Sequence, residues 1–291
     1  MVATPATSED GMNDIATVVP PAPTTPPVPP ARVNKAKSIQ ELLATVSASR
    51  LNTFHSCRLK FYFNYVAGLP RAKSGAQHIG STVHFTLKLW NLARWRKQTI
   101  PDGWLREQFN TFWMDDQEGA IAWDAGEQDE SKTKAWALLD TYFQQSPIPA
   151  NEPAEGVEVS VEADLGSTKL IGIIDLVRSG GRIVEFKTTG QTPNPEKAEH
   201  IHELQCSCYA VMYREATGQT ETAVELHHLV KLKTPKLVVT TLPAMTAKQE
   251  TRLLKTVDSY LEGVQRQDWV PSPSPMACAC CEFFNECRRW S

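Results

Sequence analysis

No stretch of this chain of 291 residues is apolar for long enough to span a bilayer, which argues against a transmembrane helix. There is little net charge. Thirty Lys and Arg against 33 Asp and Glu leave −3, which argues against a protein that coats nucleic acid non-specifically but leaves room for a local basic groove. The opening "MVATPATSEDGMNDIATVVPPAP" lacks a basic segment followed by an apolar core, so no secretory signal is expected, and its acids argue against a mitochondrial presequence. The phosphate-loop pattern Gly-x4-Gly-Lys-Ser/Thr is missing, so the chain is not expected to carry a nucleotide-driven motor of its own. There is no internal repeat. Cysteine is scarce, with seven in all, yet four fall in the last fourteen residues, "CACCEFFNECRRWS". A reducing, cytoplasmic setting is expected, and there clustered cysteines are read as metal ligands before disulfides.

What remains is ordinary for a globular protein: 41% hydrophobic and 22% charged residues, enough for one large or two small domains. Residues 1–37 hold eight of the twenty prolines, and "VVPPAPTTPPVPPARV" reads as extended coil that cannot bury a core. The folded domain is expected over 38–291. Helical patterns come first: "SIQELLA", the Ser-capped aromatic stretch "SASRLNTFHSCRLKFYFNYVAGL", "IGSTVHFTLKLWNLARWRKQ", "DGWLREQFNTFWMDD" and "SKTKAWALLDTYFQQS". The period then changes to two in "GVEVSVEADL", "TKLIGIIDLVRS" and "RIVEFKT". A helix opened by Pro195 and closed by Gly218 follows, then two strands and a late helix. The order predicts a mixed α/β domain with an early helical insertion.

One constellation carries chemistry. In "GIIDLVRSGGRIVEFKTT" the Gly180–Gly181 pair marks a hairpin. A three-residue loop, Ser179 to Gly181, pairs Arg178 with Arg182 and places Asp175 opposite Glu185. Lys187 shares the Glu185 face because strands have period two. Two carboxylates that close repel unless a cation lies between them, and oxygen ligands favour Mg²⁺ or Mn²⁺. The alternative is a solvated cross-strand pair, and a two-residue turn would put the acids on opposite faces.

The order of the surrounding motifs resembles the PD-(D/E)XK nucleases, and within them the RecB-type exonucleases that carry an iron–sulfur cluster, over roughly residues 47–287. "SASRLNTFHSC" resembles the opening signature ending in Cys57, and "GSTVH" the Gly-x-x-x-His segment ending in His84. "GIIDLV" and "EFK" bear Asp175, Glu185 and Lys187, "QCSCY" the Gln-x-x-x-Tyr pair Gln205 and Tyr209, and the tail Cys278-x2-Cys281-x5-Cys287. The resemblance implies a restriction-endonuclease-like core, a mixed central sheet flanked by helices. It implies an Mg²⁺ or Mn²⁺ site of His84, Asp175, Glu185 and the Phe186 carbonyl, with Lys187 as the water-activating group. Gln205 and Tyr209 are implied near DNA. A 4Fe–4S cluster on Cys57, Cys278, Cys281 and Cys287 would staple the C-terminus to the first helices. Four cysteines also suit zinc. The pattern departs from the family at Arg58, Ile174 and Leu176, and Cys280 is a fourth tail thiol that could replace a neighbour.

The implied function is a divalent-metal-dependent DNA exonuclease in recombination, repair or defence, working on single strands or DNA ends, with any helicase partner on a separate chain. The alternative is a catalytically silent, iron–sulfur- or zinc-stapled DNA-binding subunit; the intact Asp–Glu–Lys set favours the enzyme. Cys206 and Cys208 diverge on their helix and read as inert thiols. His227 and His228 point to opposite faces of a strand, and a metal role is not expected. "LKLWNLARWRKQ" reads equally as a nucleic-acid groove or as a solvated helix with a tryptophan core.

Overall fold

The computed structural model describes residues 36–114, 121–123 and 126–290. The expected proline-rich coil lies outside the described residues save for its last two, where Lys37 N–H donates to Tyr65 O at 2.8 Å. The first helix, α1 (Ile39–Ala44), starts at a reciprocal Ser38–Glu41 capping box. A short strand β1 (Thr45–Val46) leads to α2 (Ala48–Ser56), capped by Ser47, then α3 (Arg58–Phe61) and a π-helical turn over Tyr62–Val66. After β2 (Lys73–Ser74) come the long α4 (Gly75–Trp95), then α5 (Trp104–Trp113), β3 (Ile121–Ala122) and α6 (Glu127–Gln145).

The strands expected from their period of two follow: β4 (Ala154–Asp164), β5 (Lys169–Arg178) and β6 (Arg182–Thr189). Helix α7 (Pro195–Thr217) has proline at its start and Gly218 at φ +68° beyond its end. Then come β7 (Ala223–Val230), β8 (Lys236–Pro243), α8 (Ala247–Gln265), α9 (Pro275–Ala279) and α10 (Phe284–Arg289). No helix among the described residues is long and apolar enough to cross a membrane.

The main sheet is mixed. β4, β5 and β6 form an antiparallel meander, β6 and β7 run parallel, and β8 returns antiparallel. One edge of β5 is shared. Its start pairs with β1 at Lys169 and Leu170, its end with β6 at Leu176 to Arg178. Between those points the sheet opens, and there the candidate site lies. Helices cover both faces, so the central strands are largely buried, and their few charged residues, Asp175, Arg178, Glu185 and Glu225 among them, are buried with them. On one side Ile174, Val177 and Ile183 pack with α1, α2, α7 and α8 through Leu51, Phe54, Met212 and Tyr260. On the other, Leu176, Val184 and Phe186 pack with α4, α5 and α6 through Val83, Phe109 and Tyr142.

The tryptophan-core part of the reading of "LKLWNLARWRKQ" is seen in the packing. Trp90 is set against Tyr142 and Phe143 with the Arg94 guanidinium over its ring, so this end of α4 is a core-facing helix, and Trp95 alone of its two tryptophans is exposed.

Candidate active site

The hairpin between β5 and β6 has the three-residue loop. Arg178 pairs with Arg182, and Gly180 and Gly181 take φ +76° and +68°, which glycine adopts without a Cβ clash. The ladder stops at Leu176 and Val184, one step short of Asp175 and Glu185. With the ladder ended, the Phe186 N–H donates to Asp175 Oδ2 at 2.9 Å. The splay holds the two acids near each other without closing them into a backbone pair.

Two helices complete the cluster. α4 brings His84 Nδ1 to 3.4 Å from Asp175 Oδ2. α7 brings Gln205 and Tyr209, one turn apart, over the β6 face. Lys187 Nζ donates to Glu185 Oε1 and to Gln205 Oε1, both at 2.6 Å. Gln205 Nε2 donates to Glu185 Oε1 and Tyr209 Oη, and Tyr209 Oη donates to Glu185 Oε2, all at 2.8 Å. Gly172 in β5 faces α7, where an added Cβ would stand 2.6 Å from Cε of the flexible Met212 side chain. Glu185 is 4% exposed, which rules out the solvated cross-strand pair.

The electrostatics follow from burial and crowding. Burial pushes the Glu185 carboxyl up, and the Asp175 charge adds to it. Burial would likewise raise Asp175, but the His84 charge and hydrogen bond, the Phe186 N–H and Lys187 hold it below the usual carboxylate range. For His84, burial opposes protonation, yet Asp175, with Glu185 and Glu158 behind it, raises the imidazole to about 9.

The family model for the PD-(D/E)XK nuclease superfamily matches residues 45–288, and the chain belongs to that superfamily. A solved structure of a candidate exonuclease from Eubacterium rectale shares the fold at TM-score 0.55 and 14% identity, covering 87% of this chain and 91% of its own. An alkaline exonuclease from Laribacter hongkongensis is matched at TM-score 0.31 and 10% identity, over 79% of this chain and 92% of its own. No curated protein matches the chain. The fold is thus the α/β, restriction-endonuclease-like one that the motif order implied.

The donor set suits a divalent cation. Two buried carboxylates and an imidazole are hard N and O ligands, and the mutual repulsion that raises Glu185 is what a cation relieves. Among the described residues no three His, Cys, Asp or Glu side chains are drawn together in metal-binding geometry. The reason is local. The Asp175 carboxylate engages His84 and the Phe186 N–H, and Glu185 engages Lys187, Gln205 and Tyr209.

The tail cysteines meet Cys57. Cys57 follows α2 and, with all four tail cysteines (Cys278, Cys280, Cys281 and Cys287), lines one cavity of about 280 Å³ beside Leu59, Phe63 and Phe283. Cys57 Sγ accepts from Ser272 N–H at 3.5 Å. Burial raises the Cys287 thiol, and Cys57, Cys281 and Cys278 raise it further. Cys280 is exposed and its Sγ turns to Met276 O. Around the cavity, Glu282 accepts from Lys60 and Arg71 at 2.7 Å each. These thiols share one largely apolar cavity, but among the described residues no three of them stand in metal-binding geometry.

The remaining sequence candidates are placed plainly. Cys206 and Cys208 are buried, and burial pushes both thiols up to about 12. His227 is buried between Tyr142 Oη at 3.1 Å and Glu225 Oε2 at 3.1 Å. His228 is also buried, beside Lys187 in register, because helices cover both faces of β7. Sequence reasoning missed Glu158. It sits in β4 beside this cluster, at φ +51°, and its only sequence signal was an acid in a strand otherwise rich in valine.

Proposed function

We propose that this protein is a divalent-metal-dependent DNA exonuclease of RecB type, with His84, Asp175, Glu185 and the Phe186 carbonyl holding Mg²⁺ or Mn²⁺. The observation that carries the reading is the convergence of Asp175, Glu185, Lys187, Gln205 and Tyr209 from two strands and α7, with His84 from α4. The ion, when bound, supplies a Lewis acid for a phosphoryl oxygen and for the attacking water. Lys187 orients that water. Gln205 and Tyr209 engage the two Glu185 oxygens, and Glu185 would exchange one of these bonds for the ion. Water oxygen bonds to phosphorus, the phosphorus–oxygen bond to the leaving sugar breaks, and the leaving oxygen takes a proton.

A substrate path fits the same reading. A trough of about 670 Å³ is lined by Lys37, Tyr65, Arg71, Lys73, Gln77 and Ser81. Gln77 and Ser81 precede His84 on one face of α4, at spacings of four and three, so the trough leads along the helix to the candidate site. Lys37 with the Tyr65 ring suits a single strand, whose phosphates take charge and whose bases stack, while Arg71 pairs with Glu282 and the Lys73 ammonium is buried. The cysteine cavity is assigned to a 4Fe–4S cluster on Cys57, Cys278, Cys281 and Cys287, stapling the tail beside one wall of that trough through Glu282 and Arg71. Work in recombination, repair or defence, beside a separate helicase chain, accords with a nuclease that has no phosphate loop.

The test is anaerobic purification followed by a Mn²⁺-dependent assay on end-labelled single- and double-stranded DNA. Labelled mononucleotides or short oligonucleotides should be released only with the metal. Cleavage of circular single strands as fast as linear ones would overturn the exonuclease reading, and no cleavage of any DNA would overturn the nuclease.

A further inference from the structure

On the α7 face of the sheet, two histidines stand beside Lys187 and take no part in the reaction proposed above. Ile183 and Leu226 both pack in the α7 core. By the period of two, Lys187 on β6 and His228 on β7 therefore point to that same side. The two are partners in register. His202 comes down from α7, one turn before Gln205 on the same face of the helix. The His202 and His228 rings lie 5.5 Å apart, centre to centre, at 53°. Lys187 thus bonds Glu185 and Gln205 and has two imidazoles beside it, both of which feel its charge.

Packing alone does not account for His228. It is 3% exposed, and its Nδ1 has no hydrogen-bond partner among the described residues. The Leu226 carbonyl favours a proton on the ring without bonding Nδ1 in good geometry. A buried polar atom left unpaired costs stability. Leu226 and Val230, two residues to either side, fill the same face of β7 with apolar side chains, and a leucine at position 228 would carry no such cost. His202 is half-buried and gives the pair an opening to solvent. Burial, with the Lys187 charge, lowers both imidazoles, His202 to about 4, so both rings are neutral near pH 7. Each neutral ring offers one N–H. Beside an ammonium, the acceptor that suits two such donors is an anion. Lys187 lies two residues beyond Glu185, about 7 Å along β6, so that anion stands one step away from the one a bound ion would hold.

We propose that His202 and His228 form a subsite for a DNA phosphate neighbouring the one that is cleaved, with the Lys187 charge beside it. The proposal rests on the reading of the Asp175, Glu185 and Lys187 cluster as a nuclease site. His202, at the mouth, gives the phosphate one N–H. The His228 Nδ1–H gives the second, so the bound phosphate satisfies the atom that the fold leaves unpaired. Held at two successive phosphates, the strand has its scissile bond fixed in register with the cluster.

The test is fluorescence anisotropy with a dye-labelled single-stranded oligonucleotide in EDTA, where no metal-dependent cleavage intervenes. The proteins are wild type, His202→Ala, His202→Gln and His228→Leu. A second set of oligonucleotides carries one neutral methylphosphonate, moved phosphate by phosphate from the end. Losing a hydrogen bond to a charged group costs about tenfold in affinity or more. His202→Ala and His228→Leu should each weaken binding of the unmodified strand by about that factor, and His202→Gln, which keeps an N–H donor, should lose less. In wild type one methylphosphonate position should weaken binding to a like degree, and that position should have no further effect in His202→Ala. His228→Leu should also raise the melting temperature, because it removes the unpaired nitrogen. Wild-type affinity in folded His202→Ala would overturn the proposal, and so would a variant that stays as sensitive as wild type to every methylphosphonate. If His228→Leu fails to fold, His202→Ala carries the test, since that ring is only half-buried. Wild type that binds no strand would overturn this inference and, if it also cleaves none with Mn²⁺, the nuclease reading with it. Mn²⁺-dependent cleavage by wild type, with strand binding unaltered in His202→Ala, would overturn this inference alone.

Discussion

Replacing Cys57 with serine removes one thiol of four and changes little else, since the side chain lies half-buried between α2 and α3 with a single weak bond from Ser272. If the four thiols hold one metal group, the chain is closed into a loop of about 220 residues. Chain-entropy arithmetic assigns a closure of that length about 5 kcal/mol at 25 °C. Part of the closure survives the substitution. Glu282 still pairs with Lys60 and Arg71, Arg58 with Asp268, and Phe283 remains packed on Phe63. Exposed ion pairs add about 1 kcal/mol or less each, and a buried phenylalanine about 3 kcal/mol. The net loss should therefore be about 2–5 kcal/mol, a fall in melting temperature of roughly 5–15 °C for a domain of this size. The assay is anaerobic purification of both proteins, iron, sulfide and zinc analysis, visible absorbance, and thermal melts under argon. Wild type should be brown with about four irons per chain, and Cys57→Ser colourless and less stable. One zinc and no iron would refute the cluster but keep the staple. A colourless, metal-free wild type that melts with the variant, with Cys57 freely alkylated in the native state, would refute both.

Lys187→Ala should lower cleavage about a thousandfold or more while the circular dichroism melt stays near wild type, because Gln205 and Tyr209 still bond Glu185; a wild-type rate would remove Lys187 from the chemistry. Arg178→Met leaves Glu152 and the 5%-exposed Glu225 side chain without their shared cation, and should cost about 3–5 kcal/mol in urea unfolding; a change near zero would mean that the network carries no stability. Gly263→Ala would gain about 1 kcal/mol in an isolated helix, but here the new Cβ meets Phe54 Cζ at 2.4 Å inside a ring cluster with Phe61 and Tyr260, so a net loss of about 1–3 kcal/mol is expected. A rise in melting temperature would show that Phe54 can move. With thiols raised to about 12, Cys206 and Cys208 are ionised to only about one part in ten thousand at pH 8, so native iodoacetamide labelling read by mass spectrometry should spare both and mark exposed Cys280.

The sequence by itself located the main elements and singled out the residues proposed for the chemistry. Periods of two and 3.6 located the central strands and long helices, because each must bury an apolar face. The double glycine marked a hairpin but left two- and three-residue loops both open, and only the pairing of Arg178 with Arg182 gave the register that sets Asp175 toward Glu185. Motif order named His84, Gln205, Tyr209 and Cys57, which lie far apart in the chain. Tertiary structure decided what no local pattern carries. The strand β1 is two residues long and exists only as a partner for the start of β5, so its pairing, and the gap it leaves before β6, left no periodic trace. That gap frees the Phe186 N–H for Asp175. The depth of Glu185, the closeness of α7 at Gly172 and the meeting of Cys57 with the tail cysteines all depend on helices packing from elsewhere. Glu158 was illegible for the same reason. A strand pattern assumes that faces alternate without break, and the break at φ +51° is visible only once β4 lies beside β5.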